Sequence, residues 1–157
     1  SQRAQLGFQF DLGVVGGQFA QRSVASVPQM VCVAHDHPLA RQPRISRQAL
    51  AAQRQLVMCI DGVEELVLSP RVWRSDSFYV LADMVADGLG WAILPRNIIE
   101  YGEGLSRLSV LHCPELLLPP LAVRMLTLQG AVLDATAQWI QQRMAEVLMP
   151  EDQGLAP

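Results

Sequence analysis

Lysine is absent from this 157-residue chain: all twelve basic residues are arginine. A Schiff-base lysine, a P-loop lysine and a lysine general base are therefore excluded. Charge is sparse at 17%, aromatics make up 6%, and the net charge is -3. The arginines are scattered, so the basic stripe of a nucleic-acid surface is missing. No apolar run approaches the roughly 18 residues of a membrane span, and the opening SQRAQLGFQFDLGVV has no basic segment followed by a long apolar one, so no signal peptide is expected. Cysteine is scarce and odd in number: Cys32, Cys59 and Cys113 form no close pair. That suits a reducing cytosol better than a disulfide scaffold. Cys32 and Cys59 lie in MVCVA and LVMCI, where cysteine acts as a small buried hydrophobe.

What is present is apolar. Half the residues are hydrophobic and the mean hydropathy is +0.20, enough for a buried core in one domain or two small lobes. The run DLGVVGG, residues 11–17, reads as a strand closed by a tight loop, and PQMVCVA, 28–34, as a second strand. HDHPLARQPRIS reads as a loop, after which Ser46 caps a short helix over 47–52. QLVMCI, 55–60, is a strand ended by the turn pair Asp61-Gly62. VEELVLSPRVWRS admits a short helix or a strand, broken at Pro70.

Asp76 or Ser77 then caps a helix with Phe78, Leu81, Ala82, Val85 and Leu89 on one face. Gly88 is the expected left-handed residue at its end, WAIL follows as a buried strand, and Pro95 stops it. A helical turn over 98–101 is expected to end at Gly102 and Gly104, with LSRLSVLH a weak strand. An extended run over 121–128 and a helix over 132–148 complete the chain; Val132, Ala135, Trp139, Ile140, Met144 (or Arg143), Val147 and Leu148 line one face of the helix, and EDQGLAP is a polar tail. Short apolar strands alternating with helices indicate an α/β fold with largely parallel pairing.

DLGVV, then MVCVAHDHPLA, then DSFYVLADMVADGLGWAILP, ending in a helix, resembles the effector-binding domain of LysR-type transcriptional regulators over roughly residues 5 to 148. The resemblance implies an α/β fold of two Rossmann-like lobes joined by two crossover strands, like periplasmic binding proteins, with lobe I incomplete in this chain. Residues 1–29 would be partial lobe I, 30–120 lobe II, 121–149 the return strand and closing helix of lobe I, and 150–157 the tail. The opening strand, helix and second strand of lobe I, and the helix-turn-helix DNA-binding domain, would lie outside this sequence. The stretch between Asp61 and Ser75 is shorter than the family usually has.

The implied function is a cytoplasmic ligand sensor. A small-molecule effector enters the cleft between lobes and controls DNA binding or transcription by the full-length protein, through a shift of populations. Implied partners are the effector, a second copy (homodimer or homotetramer), and DNA through the separate N-terminal domain; no membrane and no cofactor is implied. The alternative is an extracytoplasmic solute-binding protein of similar fold.

Ligand contact is expected at two edges. Helix N-termini leave N–H groups free for carboxylates or phosphates; Ser75 and Ser77 add hydroxyls and Phe78 an apolar wall, although Ser and Asp also cap helices with no ligand. Gly16, Gly17 and Gln18 allow close backbone approach, or are simply a turn. Asp61 and Gly62 end QLVMCI at the carboxyl edge where open α/β sheets bind ligands. No metal is expected: His35-x-His37 and His112-Cys113 are too far apart in sequence to suggest three converging ligands. No catalytic residue is expected either. Asp83 and Asp87, one turn apart, read as a solvated helix face, and neither G-x-S-x-G nor G-x-G-x-x-G occurs.

Overall fold

The computed structural model describes residues 6–11, 16–128 and 134–148. In chain order the strands are β1 (Leu6–Phe10), β2 (Phe19–Val27), β3 (Gln29–Ala34), β4 (Gln55–Ile60), β5 (Val63–Glu64), β6 (Val72–Ser75), β7 (Trp91–Pro95), β8 (Leu108–Val110) and β9 (Leu121–Leu128). The helices are α1 (Arg47–Ala51), α2 (Phe78–Ala86), α3 (Arg96–Ile99), α4 (Gly104–Arg107) and α5 (Ala135–Leu148), with a 3-10 turn over Pro38–Arg41. They form two compact units, Ser1–Val27 with Pro120–Pro157, and Pro28–Pro119.

The first unit holds a three-stranded antiparallel sheet in the order β1-β9-β2. Phe8 faces Met125 and Phe10 faces Val123 across one pair, and Ala25 faces Val123 across the other. Alternation therefore gathers these side chains on one face, where Ala25, Val27 and Val123 are buried. The other face is polar. Arg124, on the central strand, is 5% exposed and reaches Asp11 Oδ1 at 2.9 Å and Gln21 Oε1 at 3.3 Å. With its oxygen turned to the guanidinium, the Gln9 amide accepts from Arg124 Nε at 2.8 Å. A buried cation is tolerable only when its donors are occupied this fully.

The second unit holds a mixed sheet in the order β5-β4-β7-β3-β8, with β6 pairing β4. Val31, Val33, Leu39, Ile45, Leu50, Trp91, Ile93 and Leu111 form the core on one face. Trp91 is fully buried, and its indole N–H donates to the Leu50 carbonyl at 2.8 Å, so its one polar atom is satisfied. Helix α2 packs on β3, β4 and β7 and buries Phe78, Leu81 and Val85. Gly88 (φ 81°) lets the chain leave α2, and a Cβ at Gly90 would stand 2.4 Å from the Arg54 carbonyl. Neighbouring backbone therefore passes at a distance only glycine permits, which accounts for the two-glycine break.

The α/β class stands, but the pairing is mostly antiparallel rather than parallel. Only β4–β6 and β4–β7 are parallel among the described pairs. The physical reason is connectivity. A parallel pair needs a crossover; residues 61–71 carry the chain from β4 to β6 and α2 carries it from β6 to β7, whereas β5 simply turns back on β4. The strand read over 11–17 falls mainly on residues outside those described, whereas β1 and β2 flank it. The loop at HPLA is a 3-10 turn, the turn read at 98–101 begins at Arg96, and Gly104 opens α4 rather than ending a helix. On α5, Trp139 is 63% exposed and Val147 is also exposed, so the expected apolar face is not a buried one at these positions; Val132 lies outside the described residues, as does the Leu148 side chain.

Candidate functional site

The carboxyl edge of β4 and β6 assembles from local chemistry. Because β4 and β6 run parallel with Met58 opposite Ser75, both strands end at the same edge. Beyond β4, Asp61 (φ 52°) and Gly62 (φ 76°) make the hairpin turn into β5. Two consecutive positive φ values define the mirror-image turn that suits strand twist, and Asp-Gly is a favoured pair for it. Beyond β6, Ser77 is the N-cap of α2: its Oγ accepts the Val80 N–H at 3.3 Å, and its own N–H donates to Ser75 Oγ at 3.2 Å. Ser75 and Ser77 are half-buried, Asp61 and Gly62 exposed. Phe78 is 5% exposed, so its ring belongs to the core face of α2.

Of the expected contact residues, Asp61, Gly62, Ser75, Ser77 and Phe78 thus share the second unit. Gly16, Gly17 and Gln18 belong to the first, as an exposed turn in which the Gly16 carbonyl accepts the Phe19 N–H at 3.1 Å.

Three residues of this unit carry interactions that the sequence reading does not single out. The buried Gln55 amide donates to the Leu66 carbonyl at 2.7 Å and accepts from Leu68 N–H at 2.7 Å and Ser69 N–H at 3.3 Å, tying segment 66–69 to β4. Glu65 Oε1 accepts the Met58 N–H at 3.0 Å; burial pushes its carboxyl up to about 7, against the opposing effect of that hydrogen bond. Arg74 pairs with Glu64, which raises the guanidinium's pKa. Their signal was weak, since each is ordinary in sequence and acquires its role through pairing.

The remaining motifs are accounted for locally. His37 Nδ1 accepts the Leu39 N–H, and burial lowers the ring's pKa, so the neutral imidazole serves as a cap. His35 Nδ1 lies 3.1 Å from Ser109 Oγ. Cys32 is buried and its thiol pushed up to about 12 by burial, an inert side chain. No group of three or more His, Cys, Asp or Glu side chains placed to hold a metal occurs among the described residues. Nor is any helix among them long and apolar enough to cross a membrane.

The second unit is thus a mixed α/β fold in which a helix N-terminus lies at the strand-end edge. Residues 2–149 match the model of the LysR substrate binding domain, and the chain belongs to that family. This selects a regulator's sensing domain, and not an enzyme or an extracytoplasmic solute-binding protein. The chain is 30% identical over 77 residues to the HTH-type transcriptional regulator AceR of Acinetobacter baumannii, covering 47% of this chain and 26% of AceR.

Among solved structures it is similar to HinK, a LysR family transcriptional regulator from Pseudomonas aeruginosa (TM-score 0.67, 16% identity, 92% of this chain and 53% of that one). It is also similar to the regulatory domain of Synechocystis PCC6803 CcmR in complex with 2-PG (TM-score 0.62, 18% identity, 94% and 74%). A third is the effector binding domain of QuiR in complex with shikimate (TM-score 0.61, 14% identity, 91% and 72%). The chain therefore spans about a quarter of AceR and about half of HinK.

Proposed function

We propose that the chain is the effector-sensing part of a cytoplasmic transcriptional regulator, and that its two compact units are lobe I and lobe II of the family's fold. A small molecule is recognised in lobe II by Asp61, Gly62, Ser75 and Ser77, with Phe78 backing them from the core. Gly16, Gly17 and Gln18 are the corresponding contacts proposed on lobe I. DNA is bound by a separate helix-turn-helix domain, and the regulator works as a homodimer or homotetramer. The effector acts by preferring one conformation of that assembly, and its differential affinity sets the limit of the response.

The observation that carries this reading is the meeting, in a LysR substrate binding domain, of the Asp61–Gly62 turn and the Ser75–Ser77 cap at one strand edge. Hydroxyls and N–H groups there suit carboxyl, hydroxyl or amide oxygens.

A thermal-shift screen of organic acids, amino acids and aromatic metabolites tests it. A true effector at a hundred times its Kd adds about 2.7 kcal/mol to stability. Ser77→Ala is expected to weaken that effector about tenfold while lowering stability by only about 1 kcal/mol, the usual value of an N-cap. If effectors found in the screen bind Ser77→Ala and Asp61→Asn as they bind the parent, the site lies elsewhere.

A further inference from the structure

Away from the strand-end edge, the second unit carries a cavity of about 280 Å³ under α2, α3, α4 and β8. Ligand pockets usually run from about 300 to 1,000 Å³, so this one suits a small molecule. Its base is apolar: Ala82 and Ala86 from α2, Ile98 from α3 and Leu108 from β8. At its mouth stand Tyr79 and Tyr101, with ring centroids 5.1 Å apart at 70°. An edge-to-face pair leaves ring faces uncovered by the partner, and both rings are well exposed, Tyr101 at 67%. Two carboxylates from separate elements, Asp83 on α2 and Glu103 at the N-terminus of α4, line the same space.

The charge balance singles out one class of ligand. Arg107 is the one cation among the lining residues, and its guanidinium is committed to Asp87, the C-cap of α2, at 3.0 Å. Asp83 and Glu103 have no cationic partner among the described residues. The cavity thus holds two negative charges not neutralised by the protein, two electron-rich ring faces and an apolar base. A carboxylate or phosphate would be repelled, and a neutral apolar molecule would leave the carboxylates uncompensated. A cation with an aliphatic body satisfies all three surfaces at once: the charge is met by the carboxylates, its methyl or methylene groups by the ring faces, and its chain by the base.

We propose that this cavity is a second ligand site, separate from the effector edge, that takes a small organic ammonium ion. The carrying feature is the convergence of the Tyr79–Tyr101 pair with Asp83 and Glu103 around one cavity. The assignment does not depend on the effector reading.

The test is isothermal titration of the chain with choline, and with 3,3-dimethylbutan-1-ol, its uncharged isostere. Choline is expected to bind saturably and the alcohol about tenfold more weakly or not at all. Tyr101→Ala is expected to weaken choline by about three- to fivefold and Tyr101→Phe to leave it unchanged, because the ring face and not the hydroxyl makes the contact. Asp83→Asn with Glu103→Gln should cost about tenfold or more, whereas Asp83→Glu should retain most of the affinity. All these positions are exposed, so thermal midpoints should stay close to the parent's and report any variant that has lost its fold. Ser77→Ala should leave choline binding untouched, which separates failure here from failure at the effector edge. No saturable heat with choline, equal binding of the alcohol, or indifference to the Asp83/Glu103 pair would each overturn the proposal.

Discussion

The two units solve the burial problem differently. Among the described residues, the largest fully buried side chains (Trp91, Leu50, Leu56, Leu81, Leu94 and Ile99 among them) lie in the second unit, and Val27 alone represents the first. The second unit covers its sheet with α2 and α3 and ties down the fully buried Gln55 amide with three hydrogen bonds. The first unit places a charged guanidinium in the middle of its sheet and surrounds it with Gln9, Asp11 and Gln21. One is specified by apolar packing, the other by a polar cluster that has one satisfactory arrangement. Substitutions should therefore be felt unequally.

The largest effect is expected at the centre of the packed unit. Trp91→Ala opens a cavity and removes the indole hydrogen bond to the Leu50 carbonyl, which keeps its bond from the Gln53 N–H, and should cost about 3–5 kcal/mol in denaturant unfolding. A cost under 1 kcal/mol would mean that the second unit is not the better-packed one.

Next comes a pH effect within the same unit. Glu65 is neutral in the folded chain up to about pH 7, but an exposed glutamate in the unfolded chain ionises from about 4.5. Between these values the unfolded state holds fewer protons, so stability is full below about 4.5 and falls as pH rises to about 7, by at most about 3 kcal/mol. Glu65→Gln keeps the acceptor for Met58 and should flatten that slope; urea midpoints at pH 4.5 and 7.5 measure it.

Gln55→Leu should cost about 1–3 kcal/mol by leaving the Leu68 and Ser69 N–H groups unpaired, and hydrogen exchange should quicken across 66–69. At the small end, Trp139→Gln on α5 should stay within about 0.5 kcal/mol despite the size of the side chain, because the ring is mostly solvated. A larger loss would show that α5 buries its aromatic residue in solution.

What could be read in advance was what short-range chemistry determines. β4 occupies the expected 55–60, β3 starts one residue late, Ser77 caps α2, and Gly88 has the expected left-handed φ. Each follows from a run, a cap or a turn pair. β2 was missed because its outer half, FAQRS, is exposed and mixes polar with small residues, so the alternation that marks a half-buried strand is absent. β6 was ambiguous because Val72–Ser75 becomes a strand only by lying beside β4, a pairing across some seventeen residues (Gln55 to Val72). The same holds for the sites. The Asp61–Gly62 turn and the Ser77 cap are contiguous motifs, whereas Gln55 with 66–69 and Tyr79 with Tyr101 are juxtapositions made by the fold, and no spacing rule announces them.

The seam between β2 and β9 has a further meaning. The ladder runs from Phe19 opposite Leu128 to Val27 opposite Leu121, and just past it the Gln29 side chain donates to the Pro119 carbonyl at 2.9 Å. Departure and return of the chain are therefore neighbours. Topologically, everything from Pro28 to Pro119 is a guest inserted at the tip of a hairpin, and a cut there severs no rung of the ladder. A gene encoding this fold could exchange that guest for another while the host strands keep their register.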